Sequence, residues 1–114
     1  MAIQHFRKAA FTLLMIIASL PVTAHAESPV VELAIREHRF EPTNVRIPAN
    51  TKVKLLIKNR DVSSEEFESY ELKREKVISG NSEGVVFIGP LSPGTYPFFG
   101  DFNPDTAQGR VIVE

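Results

Sequence analysis

A single histidine and several carboxylates are the side chains of residues 27–114 best suited to bind a metal ion. Glu66 and Glu68 are separated by one residue, and Asp101 follows an aromatic run near the end of the sequence. If the stretch around the two glutamates forms a strand, alternation places both side chains on one face. His38 is the only histidine of this region. Carboxylate and imidazole ligands suit Fe(II), Fe(III), Cu(II) and Mn(II), whereas sulfur ligands favour Cu(I).

The composition excludes several other kinds of chemistry. The 114-residue sequence contains no cysteine, which rules out disulfides, thiolate zinc sites, iron–sulfur clusters and a cysteine nucleophile. It also rules out a blue-copper centre, whose copper needs a cysteine sulfur. The formal net charge is −1 and no basic stripe is present, so we expect no nucleic-acid partner. No hydrolase triad or phosphate-binding loop is visible.

Residues 1–26 have the pattern of a secretory signal peptide. Arg7 and Lys8 precede the apolar run Ala9–Leu20, and the small-x-small sequence Ala24-His25-Ala26 follows. We predict cleavage after Ala26 and a periplasmic location, without direct membrane insertion after cleavage. The alternative is an uncleaved N-terminal anchor, although the apolar run is shorter than the roughly 20 residues of a spanning helix.

Cleavage would leave residues 27–114 as one small domain. Removing Arg7 and Lys8 from the 13 basic residues leaves 11 against 14 acidic ones, a formal net charge of −3. Both methionines would also be removed, because they lie at positions 1 and 15. This domain therefore offers no sulfur ligand of any kind.

The elements that must position these side chains are predicted to be short strands. Apolar stretches alternate with turn sequences, as in an antiparallel β-sandwich. We predict an all-β fold with seven or eight strands, near Val30–Ile35, Val45–Ile47, Val53–Ile57, Phe67–Leu72, Lys76–Ile78, Val85–Ile88, Thr95–Phe99 and Arg110–Val113. A short helix over Glu71–Lys76 is the one alternative, since that stretch is rich in helix formers.

Two passages resemble the cupredoxin family. The first is Phe40-Glu41-Pro42, followed by an alternating strand, Asn50 and a second alternating strand; Asn50 takes the place of a glycine in a left-handed turn. The second runs from Leu91 to Gly100 and continues at Gly109, and it resembles the last hairpin of a cupredoxin. The resemblance implies a cupredoxin-like Greek-key β-sandwich.

The copper ligands of the family are replaced in this sequence. The Cys position falls on Gly100, the His position on Asn103 and the Met position near Ala107. The upstream His position falls on Glu65 or Glu66. The resemblance therefore implies the cupredoxin fold without its blue-copper function.

The run from Glu66 to Ile78 resembles a narrower group, the cupredoxin-like periplasmic components of bacterial Efe-type (EfeO-type) and Ftr-type iron-uptake systems. This resemblance implies a carboxylate at the upstream ligand position and a role beside an inner-membrane iron permease and other periplasmic components. Because the sequence ends directly after the last predicted strand, we expect the stand-alone Ftr-type component.

The candidate metal ligands are His38, Glu66, Glu68 and Asp101, and the resemblance makes Glu66 the preferred residue at the upstream position. His38 lies two residues before Phe40, so a regular strand would place both on one face near the last loop. Such a site would hold an exchangeable iron or copper ion. Each residue also has an ordinary alternative role. The histidine and the glutamates can be solvated surface residues, and Asp101 can be a hydrogen-bond acceptor in its turn.

The sequence predicts a metal-binding accessory protein of ferrous-iron uptake rather than an enzyme. Two alternatives remain open: a copper-assisted ferroxidase subunit, and a metal-free cupredoxin-like scaffold that keeps the fold for protein interactions. The oligomeric state is not predicted.

Overall fold

The computed structural model describes residue 10, residues 12–21 and residues 27–114. The described residues contain strands and no helix, so the predicted all-β class is confirmed. They also contain no helix that is long and apolar enough to cross a membrane. The strands are β1 (Val30–Arg36), β2 (Arg39–Glu41), β3 (Asn44–Ile47), β4 (Val53–Asn59), β5 (Glu65–Ser69), β6 (Arg74–Ile78), β7 (Glu83–Ile88), β8 (Gly94–Gly100) and β9 (Gln108–Val113).

The strands form two sheets packed face to face. The order is β2-β1-β4-β7 in the four-stranded sheet and β3-β9-β8-β5-β6 in the five-stranded sheet. Most neighbours are antiparallel, but β1 pairs in parallel with β4 and β3 with β9. The predicted β-sandwich is confirmed, with two parallel pairs that the expected antiparallel arrangement did not include.

Alternation along the strands builds the core between the sheets. In β4, Val53, Leu55 and Ile57 are buried, while Lys54 and Lys58 lie on the outer face. Three aromatic rings fill the centre: the ring centroid of Phe98 lies 5.0 Å from that of Phe40 and 5.1 Å from that of Phe67. These rings lie directly beneath the end of the sandwich where the loop after β8 begins.

The strand count and two boundaries differ from the sequence prediction. The strand missed by the prediction is β2, a three-residue strand that pairs with β1 across a tight turn. β5 ends at Ser69, because Ser69 Oγ accepts a hydrogen bond from the N–H of Leu72 and starts a turn. After Lys73, with φ of 53°, the chain enters β6. The alternative helix over Glu71–Lys76 is therefore not formed.

Two further predictions concern the turns and the N-terminal region. Asn50 has φ of 55°, which confirms the left-handed conformation expected where the family has glycine. The cleavage sequence at 24–26 and the basic start at 7–8 lie outside the described residues, so the signal peptide and the 1–26 and 27–114 boundaries stay predictions.

Candidate metal centre

Glu65 is the only carboxylate in the interior among the described residues, with 1% of its surface exposed. It is the first residue of β5, and alternation places its side chain on the same face as the buried Phe67. Its Oε1 accepts hydrogen bonds from the N–H of Phe102 (2.9 Å) and from its neighbour's N–H at Glu66 (3.0 Å). Its Oε2 accepts one from Asn103 Nδ2 (2.8 Å). Three donors thus satisfy the buried carboxylate without a cation.

Gly100 and Ala107 complete the surroundings of this carboxylate. A Cβ atom on Gly100 would lie 2.6 Å from Cδ of Glu65 and 2.6 Å from Cβ of Ala107. The N–H of Gly100 donates to the carbonyl of Ala107 (2.8 Å), which closes the loop. The four positions that correspond to the copper ligands therefore meet here. Because two N–H donors of the loop point at one carboxylate, and no sulfur or imidazole is present, a blue-copper ion does not fit.

The upstream ligand position belongs to Glu65, which corrects the preference for Glu66. Glu65 lies against Gly100 and Asn103, whereas Glu66 lies on the opposite face of the sheet, half-buried. The sequence contained an indication of this orientation. Glu65 lies two positions before the core residue Phe67, and residues two apart in a strand share a face. Asn103, at the position of the family's copper His, donates a hydrogen bond to the buried carboxylate.

Glu66, Glu68 and Asp101 form a carboxylate cluster on the outer face of the five-stranded sheet. One oxygen from each side chain lies within 4.8 Å of the others. Glu66 and Glu68 project from the same face of β5, as the sequence predicted. Asp101 joins them because its N–H donates to the carbonyl of Glu66 (2.9 Å) directly after β8 ends. Three of the four candidate ligands are thus brought together.

This cluster carries negative charge without a cationic partner. No ion pair within the described part of the chain involves Glu66, Glu68 or Asp101. The carboxylate of Asp101 also accepts no hydrogen bond from the described residues, so the alternative role as a turn acceptor is not seen. Three oxygen ligands with open positions suit a hard or borderline cation that exchanges with solvent.

The surroundings of Glu68 raise the pKa of its carboxyl group. Desolvation raises the pKa of Glu68 above its usual range, and the negative charges of Asp101, Glu66 and Glu75 raise it further. A bound cation would reverse this effect, because it favours the ionised form of every carboxylate around it.

His38 lies outside this cluster. It occupies the turn between β1 and β2 with φ of 58°, and its N–H donates to Oδ2 of Asp61 (2.9 Å). Its Nδ1 lies 3.7 Å from the same carboxylate oxygen. The carbonyl of His38 accepts a hydrogen bond from Thr106 Oγ1 (2.6 Å), so the backbone borders the loop after β8. Asp61, which the sequence did not single out, is the partner of the histidine.

The two-sheet sandwich and the meeting of β5 with the loop after β8 define a cupredoxin-like protein without a blue-copper site. A family model described as the cupredoxin-like domain matches residues 9–113. The chain belongs to this family.

An uncharacterized protein of Rickettsia prowazekii (strain Madrid E) is 46% identical over 83 residues, which cover 73% of this chain and 66% of that protein. This chain therefore spans slightly less than two thirds of that relative's length.

Two solved structures with low sequence identity share the fold. Auracyanin A, a blue copper protein of Chloroflexus aurantiacus, aligns over 77% of this chain and 100% of its own with TM-score 0.66 and 14% identity. The metal-binding domain of the Cu(I)-exporting P-type ATPase CopA of Streptococcus pneumoniae D39, solved with Cu(I), aligns over 78% and 90% with TM-score 0.67 and 14% identity. Both are copper proteins with the cupredoxin fold.

Proposed function

We propose that this cupredoxin-like protein is an exported, periplasmic accessory component of a ferrous-iron uptake system that binds a metal ion through Glu66, Glu68 and Asp101. The observation that carries the proposal is the approach of three carboxylate oxygens to within 4.8 Å without a cationic partner in the described region. The narrower resemblance to Efe-type and Ftr-type components supports the iron-uptake role.

The oxygen ligands of the cluster suit iron and do not suit Cu(I), which favours sulfur ligands. The cluster offers oxygen ligands, and its open positions allow an ion to be taken up and passed on. Fe(II), Fe(III) and Mn(II) accept such ligands, and Cu(II) competes because it binds most nitrogen and oxygen sites more tightly. Iron is the proposed cargo, with Cu(II) as the competing ion.

The cargo role needs a partner that receives the ion. We place the protein beside an inner-membrane iron permease and other periplasmic components, on the basis of the predicted signal peptide and the family resemblance. We propose no catalytic step of its own, because three carboxylates without histidine or cysteine make a poor redox-copper site.

A metal-free scaffold is the second candidate function. The observation in its favour is the Glu65 carboxylate, which fills the position of the family's copper site with hydrogen bonds to Phe102 and Asn103. In this alternative the fold serves protein interactions, and the carboxylates are solvated surface residues.

Metal titration decides between the two candidates. Purified protein is titrated with Fe(II) under anaerobic conditions, and with Mn(II) and Cu(II), by calorimetry. We expect wild-type protein to bind Fe(II) with a dissociation constant below about 100 μM, and Glu66→Gln to bind at least about tenfold more weakly.

Glu83→Gln is the matched control. Glu83 is an exposed glutamate of β7 in the other sheet, and it should leave the affinity unchanged. Equal binding by Glu66→Gln and wild-type protein, or no binding at all, would favour the scaffold.

A further inference from the structure

We propose that Glu65 is a positioning residue of the carboxylate cluster: its buried side chain holds the loop after β8 where cupredoxins use a metal ion, and the loop fixes Asp101 beside Glu66 and Glu68. This inference rests on the proposed function for its metal-binding consequence. The structural part of the inference, that Glu65 fixes the loop after β8, does not depend on the proposed function.

The hydrogen bonds around Asp101 carry the argument. The N–H of Asp101 donates to the carbonyl of Glu66 (2.9 Å), which fixes the peptide before it. The N–H of Phe102 belongs to the peptide after Asp101 and donates to Glu65 Oε1 (2.9 Å). Both backbone torsions of Asp101 therefore lie between fixed peptides. Its carboxylate can reach the cluster only while both peptides keep their orientation.

The loop is adapted to a carboxylate rather than to a cation. Asn103 adds a second donor from the loop, at 2.8 Å from Glu65 Oε2. Gly100 leaves room for the glutamate, since a Cβ there would lie 2.8 Å from Glu65 Oε1. N–H donors that converge on one point attract an anion and repel a metal ion. The residues that replace the copper ligands thus form one set around Glu65.

Glu65 acts through hydrogen bonding and not as a ligand, because its side chain faces the core and the cluster faces solvent. Two substitutions separate these roles. Glu65→Gln keeps an oxygen that accepts from the N–H of Phe102. Its NH2 group can donate to the side-chain oxygen of Asn103 once the Asn103 amide rotates by 180°. Glu65→Ala removes every acceptor and leaves the part-buried donors of Phe102 and Asn103 without their protein partner.

The test combines Mn(II) binding, followed by the EPR signal of free Mn(II), with hydrogen exchange of the metal-free full-length protein. We expect Glu65→Ala to lower Mn(II) affinity about tenfold or more, as outer-shell substitutions do, and Glu65→Gln to stay within about threefold of wild type. The Phe102 amide should exchange faster in Glu65→Ala only. In an Asp101→Asn background, Glu65→Ala should produce no further loss of affinity.

Each result bears on one part of the inference. Equal losses in Glu65→Gln and Glu65→Ala would overturn positioning in favour of a charge or ligand role. An undiminished loss in the Asp101→Asn background would overturn the coupling through Asp101. If wild-type protein binds neither Mn(II) nor Fe(II), the proposed function is wrong. If the Phe102 amide exchanges at the wild-type rate in Glu65→Ala, Glu65 does not hold the loop in place.

Asn103→Ala replaces Glu65→Ala if that variant does not fold. It removes one donor to Glu65 and leaves the carboxylate in place. We expect faster exchange at Phe102 and a loss of Mn(II) affinity of about threefold or more. Wild-type exchange and affinity in a folded Asn103→Ala protein would contradict the inference.

Discussion

The carboxylate of Glu65 occupies the space that a side chain on Gly100 would need. A Cβ atom on Gly100 would lie 2.6 Å from Cδ and 2.8 Å from Oε1 of Glu65, well inside van der Waals contact. In the cupredoxin pattern these two positions carry metal ligands, and here the Glu65 side chain leaves no room for a ligand side chain at position 100. The pocket is therefore rebuilt around a hydrogen-bonded carboxylate.

Gly100→Ala should destabilise the protein by about 1–3 kcal/mol, because the new methyl group overpacks a closed site. The three atoms that it meets, Cδ and Oε1 of Glu65 and Cβ of Ala107, belong to buried residues that cannot move aside freely. Urea unfolding followed by circular dichroism measures the difference. Adding Ala107→Gly should recover part of the loss, and wild-type stability of Gly100→Ala alone would show that the pocket has spare room.

Asn103→Ala should cost about 1–3 kcal/mol of unfolding free energy, because Glu65 Oε2 loses its donor while remaining buried. Gln108→Ala is the matched control. Gln108 donates to the carbonyl of Pro104 in the same loop but is exposed, so we expect a change within about 0.5 kcal/mol. Equal effects of the two substitutions would argue against the buried carboxylate as the element that holds the loop.

Asp61→Ala should destabilise the turn that carries His38 by about 1–3 kcal/mol. Asp61 accepts hydrogen bonds from the N–H groups of Glu37 (2.7 Å) and His38 (2.9 Å), and both residues have positive φ. Chemical-shift changes confined to this turn, together with the loss of stability, would confirm the role. Asp105→Ala removes an exposed aspartate and should change neither quantity.

Glu68→Gln should raise the melting temperature of the metal-free protein at neutral pH. The pKa of Glu68 is raised in the folded state by desolvation and by the neighbouring carboxylates, so its ionised form is less favourable there than in the unfolded chain. Protonated Glu68 contributes to the stability of the folded protein. This contribution is fully present below the unfolded-state pKa of Glu68 and is lost as the pH rises through its folded-state pKa.

The difference in melting temperature between Glu68→Gln and wild type should therefore be near zero in acid. The difference should become positive as the pH rises from the unfolded-state pKa of Glu68 through its folded-state pKa. A Glu68→Gln protein that melts below wild type at neutral pH would mean that the carboxylate is stabilised by a contact and not repelled by its neighbours.

The strands of this fold are largely readable from the sequence, because apolar and charged residues alternate plainly in β4. The three-residue strand β2 was not predicted, since so short a strand shows no periodicity and depends on the turn that Asp61 stabilises. The alternative helix at Glu71–Lys76 failed because its local preference is outweighed by pairing of β6 with β5.

The candidate site was readable only in part. Alternation correctly placed Glu66 and Glu68 together, and Asp101 joins them through a backbone hydrogen bond that no sequence pattern encodes. The backbone of His38 borders the last loop, but His38 lies in a turn and not in a regular strand, and its side chain pairs with Asp61. Side-chain partners across distant loops are set by packing, and one sequence does not reveal them.

A crystal structure of the protein soaked with Mn(II), with anomalous diffraction to locate the ion, would show whether the three carboxylates bind a metal ion. We expect one anomalous peak bounded by Glu66, Glu68 and Asp101, with Glu65 still hydrogen-bonded to Phe102 and Asn103. A peak at the Glu65 pocket, or no peak at the three carboxylates at saturating Mn(II), would contradict this expectation.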